Sequence, residues 1–336
     1  MQPVTRVAVF GYGSWGTAFS MVLADAGADV VMWGRRQELV DTIASTHENP
    51  QYLPGVALPT SVRATHDPAE AADGAEVVVL VVPSQTLRAN LTEWAGVLPR
   101  EAVLVSLMKG IELGTTRRMS EVVAEVTGAP AERIAVVSGP NLAAEVAARQ
   151  PAASVVACAD EAVAEKLQQV CATAYFRPYT NTDVVGVELG GAVKNVIALA
   201  VGIAKGMGMG DNSQASIVTR GLAEITRLGL SLGADAATFA GLAGVGDLVA
   251  TCLSPLSRNR TFGERLGQGQ SVAEIVASTS QVAEGVKSAE SILALARAQG
   301  VDMPIVEHVA AAVHDGLPPG EIVRRIMSRS TKAETE

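Results

Sequence analysis

The chain has 336 residues, of which 48% are apolar and 18% are charged, and its formal net charge is −9. This length accommodates about two domains of ordinary size, and the apolar fraction is ample for a buried core, so the composition excludes a disordered chain. The negative charge argues against nucleic acid or an anionic membrane as the main partner. It leaves room for a local basic pocket that binds a small anion.

Cysteine usage and the amino-terminal pattern both indicate a cytoplasmic protein. The three cysteines form no C-x-x-C pair and no cluster with histidine at metal spacing, so we predict no metal site and a reducing compartment. The chain begins with a strand and a glycine turn rather than a signal peptide. The longest apolar run of the first half, VVVLVV (77–82), is far too short to cross a membrane. We therefore predict no membrane insertion.

The first half of the chain alternates strand and helix patterns. A helix is predicted over residues 17–27, directly after the first strand. The predicted strands are short apolar or β-branched runs at 6–10, 29–33, 77–82, 102–108, 133–139, 153–158 and 173–180. Because strands that alternate with helices form parallel sheets with crossover connections, residues 1–187 are predicted to be an α/β domain with a mostly parallel sheet.

From Glu188 onward the strand patterns stop, and residues 188–336 are predicted to be an all-α domain. We interpret ELGG (188–191) as a turn, which would place Lys194 in the first turns of a long helix. The predicted helices cover 188–208, 213–232, 235–241, 257–267, 271–280, 284–299, 304–315 and 319–329.

A glycine motif follows the first strand. Gly11, Gly13 and Gly16 give G-x-G-x-x-G between the strand RVAVF and a helix, which is the context that a dinucleotide-binding turn requires. The first glycine permits the tight turn, the second lets the backbone approach a pyrophosphate, and the third permits close packing of helix on strand. The motif therefore predicts a Rossmann-like, dinucleotide-binding domain.

The residues after the second strand indicate which dinucleotide is bound. A site for NAD commonly has an acidic residue there, about 20 residues after the glycines. This chain has Arg35 and Arg36 at that position, and Asp29 comes too early, at the start of the strand. Guanidinium groups suit a 2′-phosphate, so the pattern favours NADP(H) and does not exclude NAD(H). The alternative is that both arginines only solubilise the surface.

Two lysines are candidates for the acid/base that hydride transfer to a carbonyl requires. Lys109 follows a predicted strand, at the sheet edge where open α/β sheets bind ligands. Lys194 lies in an apolar stretch, GGAVKNVIALAVG (190–202), where burial would lower its pKa toward neutrality. The alternative for Lys194 is a side chain that extends to solvent. The histidines lie outside polar or glycine-rich clusters and are assigned no role: His47, His66, His308 and His314.

A third cluster follows a glycine-rich segment near residue 245. Asp247 is followed by Ser257, Arg258 and Asn259 at a predicted helix start. A hydroxyl, a guanidinium and an amide at a helix start suit a phosphate group. The alternative is an ordinary helix cap with a solvated basic end.

Together these segments make the chain resemble the soluble, bacterial NAD(P)-dependent glycerol-3-phosphate dehydrogenases. The resemblance covers about residues 5–325. It rests on GYGSWGTA (11–18), WGRR (33–36), VPSQ (83–86), SLMKGIE (106–112), SGPNLAAEV (138–146), ELGGAVKNVIALAVGIAKGMGMGDNSQA (188–215), GLAGVGDLVATCLSPLSRNRTFG (241–263) and VAEGV (282–286). The order of these motifs is far more specific than any one of them.

The resemblance implies reversible reduction of dihydroxyacetone phosphate to sn-glycerol 3-phosphate, which feeds phospholipid synthesis, with Lys194 as the acid/base. It implies that the substrate is bound by Lys109, Gly139, Asn141, Lys194, Asp247, Ser257, Arg258 and Asn259. It implies that the cofactor contacts, besides the three glycines, are Ser14, Trp15, Arg35, Arg36, Lys109, Ala143, Arg258, Val282 and Glu284. The family often has Ser or Thr where this chain has Asn141; an amide can also donate and accept hydrogen bonds.

Two other functions fit parts of the pattern. Another two-domain dehydrogenase of the 3-hydroxyacid or 6-phosphogluconate type would explain the Lys194–Asn195 pair and the glycine motif, but less well the segments GDLVATC and LSRNR. A non-catalytic NADP(H) sensor would need the glycine turn alone. The apolar helices of the second half leave a homodimer open.

Overall fold

The computed structural model describes residues 4–279, 283–331, 333 and 334. Over these residues the strands are β1 (Arg6–Phe10), β2 (Asp29–Trp33), β3 (Glu48–Asn49), β4 (Leu53–Ala57), β5 (Arg63–Thr65), β6 (Val77–Leu80), β7 (Val103–Ser106), β8 (Ile134–Ser138), β9 (Ala152–Cys158) and β10 (Phe176–Asn181).

Helices connect the strands and then form the rest of the chain. Those of the first half are α1 (Ser14–Asp25), α2 (Gln37–Thr46), α3 (Pro68–Ala72), α4 (Leu87–Trp94), α5 (Met119–Thr127), α6 (Ala143–Ala147) and α7 (Glu161–Cys171). Those of the second half are α8 (Val184–Gly206), α9 (Asp211–Ser231), α10 (Ala236–Phe239), α11 (Asp247–Leu253), α12 (Arg258–Gly267), α13 (Val272–Ala277), α14 (Glu284–Ala298), α15 (Pro304–His314) and α16 (Pro319–Met327).

The main sheet has the strand order β10-β9-β8-β7-β6-β1-β2-β5 over the described residues, and every neighbouring pair is parallel except β8–β9. Its central strands are buried along their length because crossover helices cover both faces, which is why they read as continuous apolar runs. Separate apolar clusters fill the sheet domain and the helical part. The predicted fold class, a Rossmann-like domain followed by helices, is confirmed.

Three short strands are absent from the sequence prediction. Strand β5, with sequence RAT, adds the outer edge of the sheet beside β2, and β3 and β4 form a small antiparallel hairpin. Strands β3 and β5 have no apolar run, and β4, with sequence LPGVA, is mostly exposed and is interrupted by Pro54 and Gly55, residue types that are depleted in strands. The last predicted strand begins later than expected, at Phe176, because Thr173 accepts a hydrogen bond from the Phe176 N–H and forms a turn.

The interpretation of ELGG as a turn is wrong. Helix α8 begins at Val184, where the Asp183 carboxylate accepts a hydrogen bond from the Gly186 N–H, and it runs through both glycines. Lys194 therefore lies in the third turn. Glycine lowers helix propensity, but here close packing overrides it. A Cβ at Gly190 would lie 2.4 Å from the Ala243 carbonyl oxygen, so only glycine fits.

Glycines also govern where α8 crosses α12. A Cβ on Gly202 would lie 2.1 Å from the Arg260 carbonyl oxygen, and one on Gly206 would lie 2.0 Å from that of Glu264. The partner helix shows the same pattern at Gly263, where a Cβ would lie 2.2 Å from the Leu199 carbonyl oxygen. The two backbones therefore touch directly, with no side chain between them. We call this contact the glycine crossing.

Within the described residues, two helical segments are long and apolar enough to cross a membrane by length and composition alone: Val184–Gly206 and Ala236–Leu253. Of the first, 83% of the apolar window is buried by the protein itself, so α8 is the central helix of the helical part. The second is 44% buried and is interrupted by a π-helical turn at Leu242–Gly246. The predicted division between residues 187 and 188 stays a prediction; α8 begins before it.

Candidate active site

The glycine turn lies at the carboxyl ends of β1 and β6. Gly11 has φ +129°, and a Cβ there would lie 2.5 Å from the Val81 carbonyl oxygen. A Cβ on Gly16 would lie 2.0 Å from the Gly11 carbonyl oxygen. By contrast, a Cβ on Gly13 would meet nothing within 4 Å, so this glycine faces open space beside the start of α1. Gly11 and Gly16 therefore serve close packing, and Gly13 leaves room for a ligand.

The amino terminus of α1 carries hydrogen-bond donors suited to an anion. In the described structure no side chain caps this helix end, so its first N–H groups stay available. The Ser14 hydroxyl donates to the Tyr52 carbonyl oxygen at 2.7 Å. The buried indole N–H of Trp15 has no hydrogen-bond partner within the described residues. These features fit a pyrophosphate at this turn.

Arg35 and Arg36 lie exposed at the carboxyl end of β2, and both side chains have partners. Arg35 donates to Asn90 Oδ1 at 2.6 Å. The Arg36 guanidinium lies over the rings of Tyr12 and Tyr52, 5.9 and 5.7 Å from their centroids. The Tyr12 hydroxyl accepts from Arg36 Nε at 3.3 Å, a contact that raises the arginine pKa. Tyr12 lies within the glycine motif, so Arg36 is in direct contact with the dinucleotide turn.

Asp29 is at the opposite, amino-terminal end of β2. Its carboxylate pairs with Arg63 at 2.9 Å, on the neighbouring edge strand. The structure therefore places this acidic residue one strand length away from Arg35 and Arg36. This position is consistent with the prediction that Asp29 comes too early in the strand to bind a ribose at the glycine turn.

The two candidate lysines meet at one carboxylate. Asp247 Oδ2 accepts from Lys109 Nζ at 2.6 Å, and its Oδ1 forms a very short contact with Lys194 Nζ. Lys109 Nζ also donates to the Gly139 carbonyl oxygen at 3.1 Å, and Lys194 Nζ lies 2.5 Å from Thr251 Oγ1. We call Lys109, Asp247 and Lys194 the lysine–aspartate cluster.

Burial gives this cluster its chemical character. Lys194 is 6% exposed and Asp247 is 1% exposed, whereas the Lys109 side chain is 17% exposed. Burial lowers the pKa of Lys194, the Asp247 carboxylate opposes that change, and the neighbouring Lys109 charge adds to it, with a result of about 7. Lys194 is therefore no solvent-seeking surface side chain. Its amine can both release and take up a proton near neutral pH.

The glycine pair of α8 allows the cluster to assemble. Gly190 packs against the π-helical turn that precedes Asp247, at Ala243. A Cβ on Gly191 would lie 2.6 Å from Ser138 Oγ and 3.4 Å from the Lys109 stem. Side chains at these two positions would push the Asp247 turn and the Lys109 strand end away from α8. The sequence ELGG thus serves close approach rather than chain reversal.

The residues predicted to bind a phosphate lie at the start of α12. Ser257 caps the helix, since its Oγ accepts from the Arg260 N–H at 3.3 Å, as the alternative interpretation anticipated. The buried Asn259 amide donates to Asn195 Oδ1 at 3.0 Å and accepts from the Gly285 N–H at 2.9 Å, which links α8, α12 and α14. Arg258 is exposed beside them.

The remaining predicted contacts lie at the same sheet edge or on α14. Asn141 and Ala143 follow β8, and Asn141 Nδ2 donates to Ser154 Oγ at 3.0 Å. Glu284 begins α14 and accepts from Ser84 Oγ at 2.9 Å; burial raises its pKa, and the Ser84 hydrogen bond and the Arg258 charge oppose that change. Val282 lies outside the described residues.

Two polar residues at this site received no role from the sequence. Thr251 lies one helical turn after Asp247, within the segment GDLVATC, and contacts Lys194. Ser84 lies in VPSQ and binds Glu284. For Thr251 the i, i+4 spacing from Asp247 was an available signal. For Ser84 no local pattern pointed to a partner 200 positions away.

A Rossmann-like sheet with an open glycine turn, facing a buried lysine on the helical second half, defines a dinucleotide-dependent dehydrogenase. Family models agree. NAD-dependent glycerol-3-phosphate dehydrogenase N-terminus matches residues 6–164, and the C-terminus model of that family matches residues 183–324. The chain belongs to the NAD-dependent glycerol-3-phosphate dehydrogenase family.

Individual relatives cover the chain almost completely. The glycerol-3-phosphate dehydrogenase [NAD(P)+] of Streptomyces griseus is 67% identical, over 99% of this chain and 99% of its own. That of Thermobifida fusca is 64% identical, over 98% of this chain and 99% of its own. The crystal structure of glycerol-3-phosphate dehydrogenase from Coxiella burnetii has a TM-score of 0.92 at 36% identity, covering 97% of this chain and 99% of that one.

Proposed function

We propose that the protein catalyses the reversible, NAD(P)H-dependent reduction of dihydroxyacetone phosphate to sn-glycerol 3-phosphate, as a source of the glycerol phosphate used for phospholipids. The observation that carries this proposal is the buried lysine–aspartate cluster beside an open dinucleotide turn. A protein that only sensed NADP(H) would need the glycine turn but not this cluster. Family membership supports this reaction over that of a 3-hydroxyacid or 6-phosphogluconate enzyme.

In this proposal Lys194 is the acid/base. Negative charge develops on the C2 oxygen of the ketone during reduction, and the Lys194 ammonium stabilises that charge and then donates its proton. The bound nicotinamide supplies the hydride. Asp247 holds both amines in place, so each can point at the substrate without a large rearrangement. In the reverse direction neutral Lys194 removes the hydroxyl proton.

The proposed binding residues form two groups, one for the substrate and one for the cofactor. Substrate contacts are Lys109, Gly139, Asn141, Lys194, Asp247, Ser257, Arg258 and Asn259. Cofactor contacts are Gly11, Gly13, Ser14, Trp15, Gly16, Arg35, Arg36, Lys109, Ala143, Arg258, Val282 and Glu284. The open space at Gly13 supports the cofactor assignments, as does the Trp15 N–H, which has no hydrogen-bond partner in the part of the chain that the structure describes.

The direct test is a spectrophotometric assay with dihydroxyacetone phosphate and either NADPH or NADH. We expect oxidation of the reduced cofactor at a rate typical of enzymes, about 1–10³ per second. Binding of NADPH without turnover would contradict the proposal and favour a sensor. Turnover of the ketone of a 3-hydroxyacid-type enzyme, without turnover of dihydroxyacetone phosphate, would show that the protein is a dehydrogenase with a different substrate.

The pH dependence should have opposite signs in the two directions. Reduction needs the Lys194 ammonium, so kcat/KM for dihydroxyacetone phosphate should fall as pH rises through about 7, where that group loses its proton in the free enzyme. Oxidation needs the neutral amine, so kcat/KM for sn-glycerol 3-phosphate should rise over the same range. The measurement is kcat/KM in both directions at a series of pH values on either side of neutrality. Limbs of the same sign in both directions would exclude Lys194 as the titrating acid/base.

NADP(H) is the proposed preferred cofactor, because two guanidinium groups stand at the end of β2. Replacing Arg35 and Arg36 together with alanine should raise KM for NADPH about 10- to 100-fold while KM for NADH changes little. Only NADPH carries the 2′-phosphate, so only the binding of NADPH would lose charge-assisted hydrogen bonds to that group. Arg63→Ala is the matched control, since Arg63 is exposed on the adjacent strand and pairs with Asp29. An equal rise in both KM values would contradict the assignment.

Arg258 is proposed to bind the substrate phosphate. Arg258→Ala should raise KM for dihydroxyacetone phosphate about 10-fold or more, and kcat should fall less, because a charge-assisted contact to the phosphate is removed. Arg265→Ala on the same helix is the control, because that side chain is held by Gln270 and Ser278. An unchanged KM for the ketone would show that Arg258 does not bind the phosphate.

Location and assembly are inferred on more general grounds. We infer a cytoplasmic enzyme, which agrees with three buried, free cysteines within the described residues. A homodimer stays a prediction; size-exclusion chromatography with light scattering tests it.

A further inference from the structure

Ser154, on β9, lies beneath the segment that carries Asn141. It is fully buried, and its hydroxyl donates to the Ser138 carbonyl oxygen at 3.0 Å. The same hydroxyl oxygen accepts from Asn141 Nδ2 at 3.0 Å. Gly139 makes this approach possible, since its φ is +146° and a Cβ there would lie 3.1 Å from Ser154 Cα.

This arrangement fixes which way round the Asn141 amide lies. A serine hydroxyl has one hydrogen, and the Ser138 carbonyl oxygen can only accept, so Ser154 donates its hydrogen to that carbonyl. Toward Asn141 the Ser154 oxygen is therefore an acceptor. The amide NH₂ group donates to it, whereas a flipped amide would place the Asn141 oxygen against the Ser154 oxygen with no hydrogen between them. The Asn141 oxygen must then face away from Ser154.

Asn141 Oδ1 is buried and is without a hydrogen-bond partner among the described residues. A buried acceptor without a donor destabilises the protein, so it is a place where a ligand hydroxyl gains more than it would in water. Gly139, two residues before Asn141, accepts a hydrogen bond from Lys109 of the lysine–aspartate cluster, so the segment that carries Asn141 adjoins that cluster.

We propose that Ser154 is a positioning residue that turns the Asn141 side-chain oxygen toward the substrate, where it accepts a hydrogen bond from the free hydroxyl of dihydroxyacetone phosphate. The inference rests on the proposed function for the identity of that substrate. Ser154 acts through Asn141 and touches no reacting atom. The pair thereby selects a ketone that carries a hydroxyl next to the carbonyl.

The test is a comparison of two substrates across four proteins. The substrates are dihydroxyacetone phosphate and hydroxyacetone phosphate, which lacks the free hydroxyl. The proteins are the wild type, Ser154→Ala, Asn141→Ala and the double variant, and the readout is the ratio of kcat/KM for the two substrates. Ser154→Ala should reduce this ratio about 3- to 10-fold, the effect of one neutral hydrogen bond. Asn141→Ala should reduce it equally, and the double variant no further.

Each outcome decides between a specific and a structural role. Equal losses on both substrates in Ser154→Ala would overturn the proposal, as would a further loss of the ratio in the double variant. If thermal melts show that Ser154→Ala is unfolded, Asn141→Ala alone still decides, because an unchanged ratio there removes the acceptor role. Failure of the wild type to reduce dihydroxyacetone phosphate would sink the proposed function; turnover with an unchanged ratio in the variants would sink only this inference.

Discussion

Replacing Lys194 with alanine should lower kcat for ketone reduction by about 10³- to 10⁴-fold. The variant loses both the proton donor and the positive charge that stabilises the developing alkoxide. Asp247 keeps Lys109 as a partner at 2.6 Å, so the variant does not leave an unpaired buried carboxylate and should stay folded. The measurement is single-turnover and steady-state kinetics with dihydroxyacetone phosphate, together with a fluorescence titration of NADPH binding.

Lys205→Ala is the matched control for this variant. Lys205 lies on the same helix but is exposed, and its loss should leave kcat near that of the wild type. We expect NADPH affinity to change little in either variant. A Lys194→Ala protein that keeps near wild-type turnover would refute the acid/base role, and one that no longer binds NADPH would show that the lysine serves the cofactor instead.

Replacing Gly263 with alanine should lower the free energy of unfolding markedly, whereas the same methyl addition at Gly320 should not. The new Cβ would lie 2.2 Å from the Leu199 carbonyl oxygen, a backbone atom that can move only with the whole of α8. Overpacking of this kind typically costs about 1–3 kcal/mol, and a clash with backbone lies at the upper end. Because 1 kcal/mol shifts Tm by about 2–4 °C at this domain size, we expect a loss of roughly 6–12 °C.

Gly320→Ala controls for the effect of alanine itself. Gly320 lies in α16, and a Cβ there would meet nothing within 4 Å. Alanine is the better helix former, so this variant should be as stable as the wild type or slightly more stable. Differential scanning calorimetry compares the two. Equal melting temperatures would mean that the helices separate at little cost and that the glycine crossing is not tightly packed.

The sequence predicted the parts of this protein that depend on local pattern. Continuous apolar runs identified the central strands, because a strand covered on both faces has no polar side. The glycine motif identified the dinucleotide turn, since its spacing and context are both local. The same reasoning failed at Gly190 and Gly191, where helix propensity indicated a break and tertiary packing decided otherwise.

The site was predicted as separate pieces but not as one assembly. Lys109 and Asp247 are 138 positions apart, and no periodicity connects them. Only the fold brings the end of β7 to the start of α11. The internal hydrogen bonds of Asn259 and the orientation of Asn141 were equally beyond the sequence, because each depends on a partner on a different element.

The glycine crossing has a consequence for substrate selection. Helix α8 carries Lys194, and α12 begins at the residues proposed to bind the phosphate. Since the two backbones are in direct contact at Gly202 and Gly263, no side-chain rearrangement can lengthen or shorten the gap between these two groups. The helix pair thus works as a molecular ruler with a fixed span from carbonyl to phosphate. Ketones with one carbon more or fewer between those groups should bind yet leave the carbonyl out of reach of the lysine.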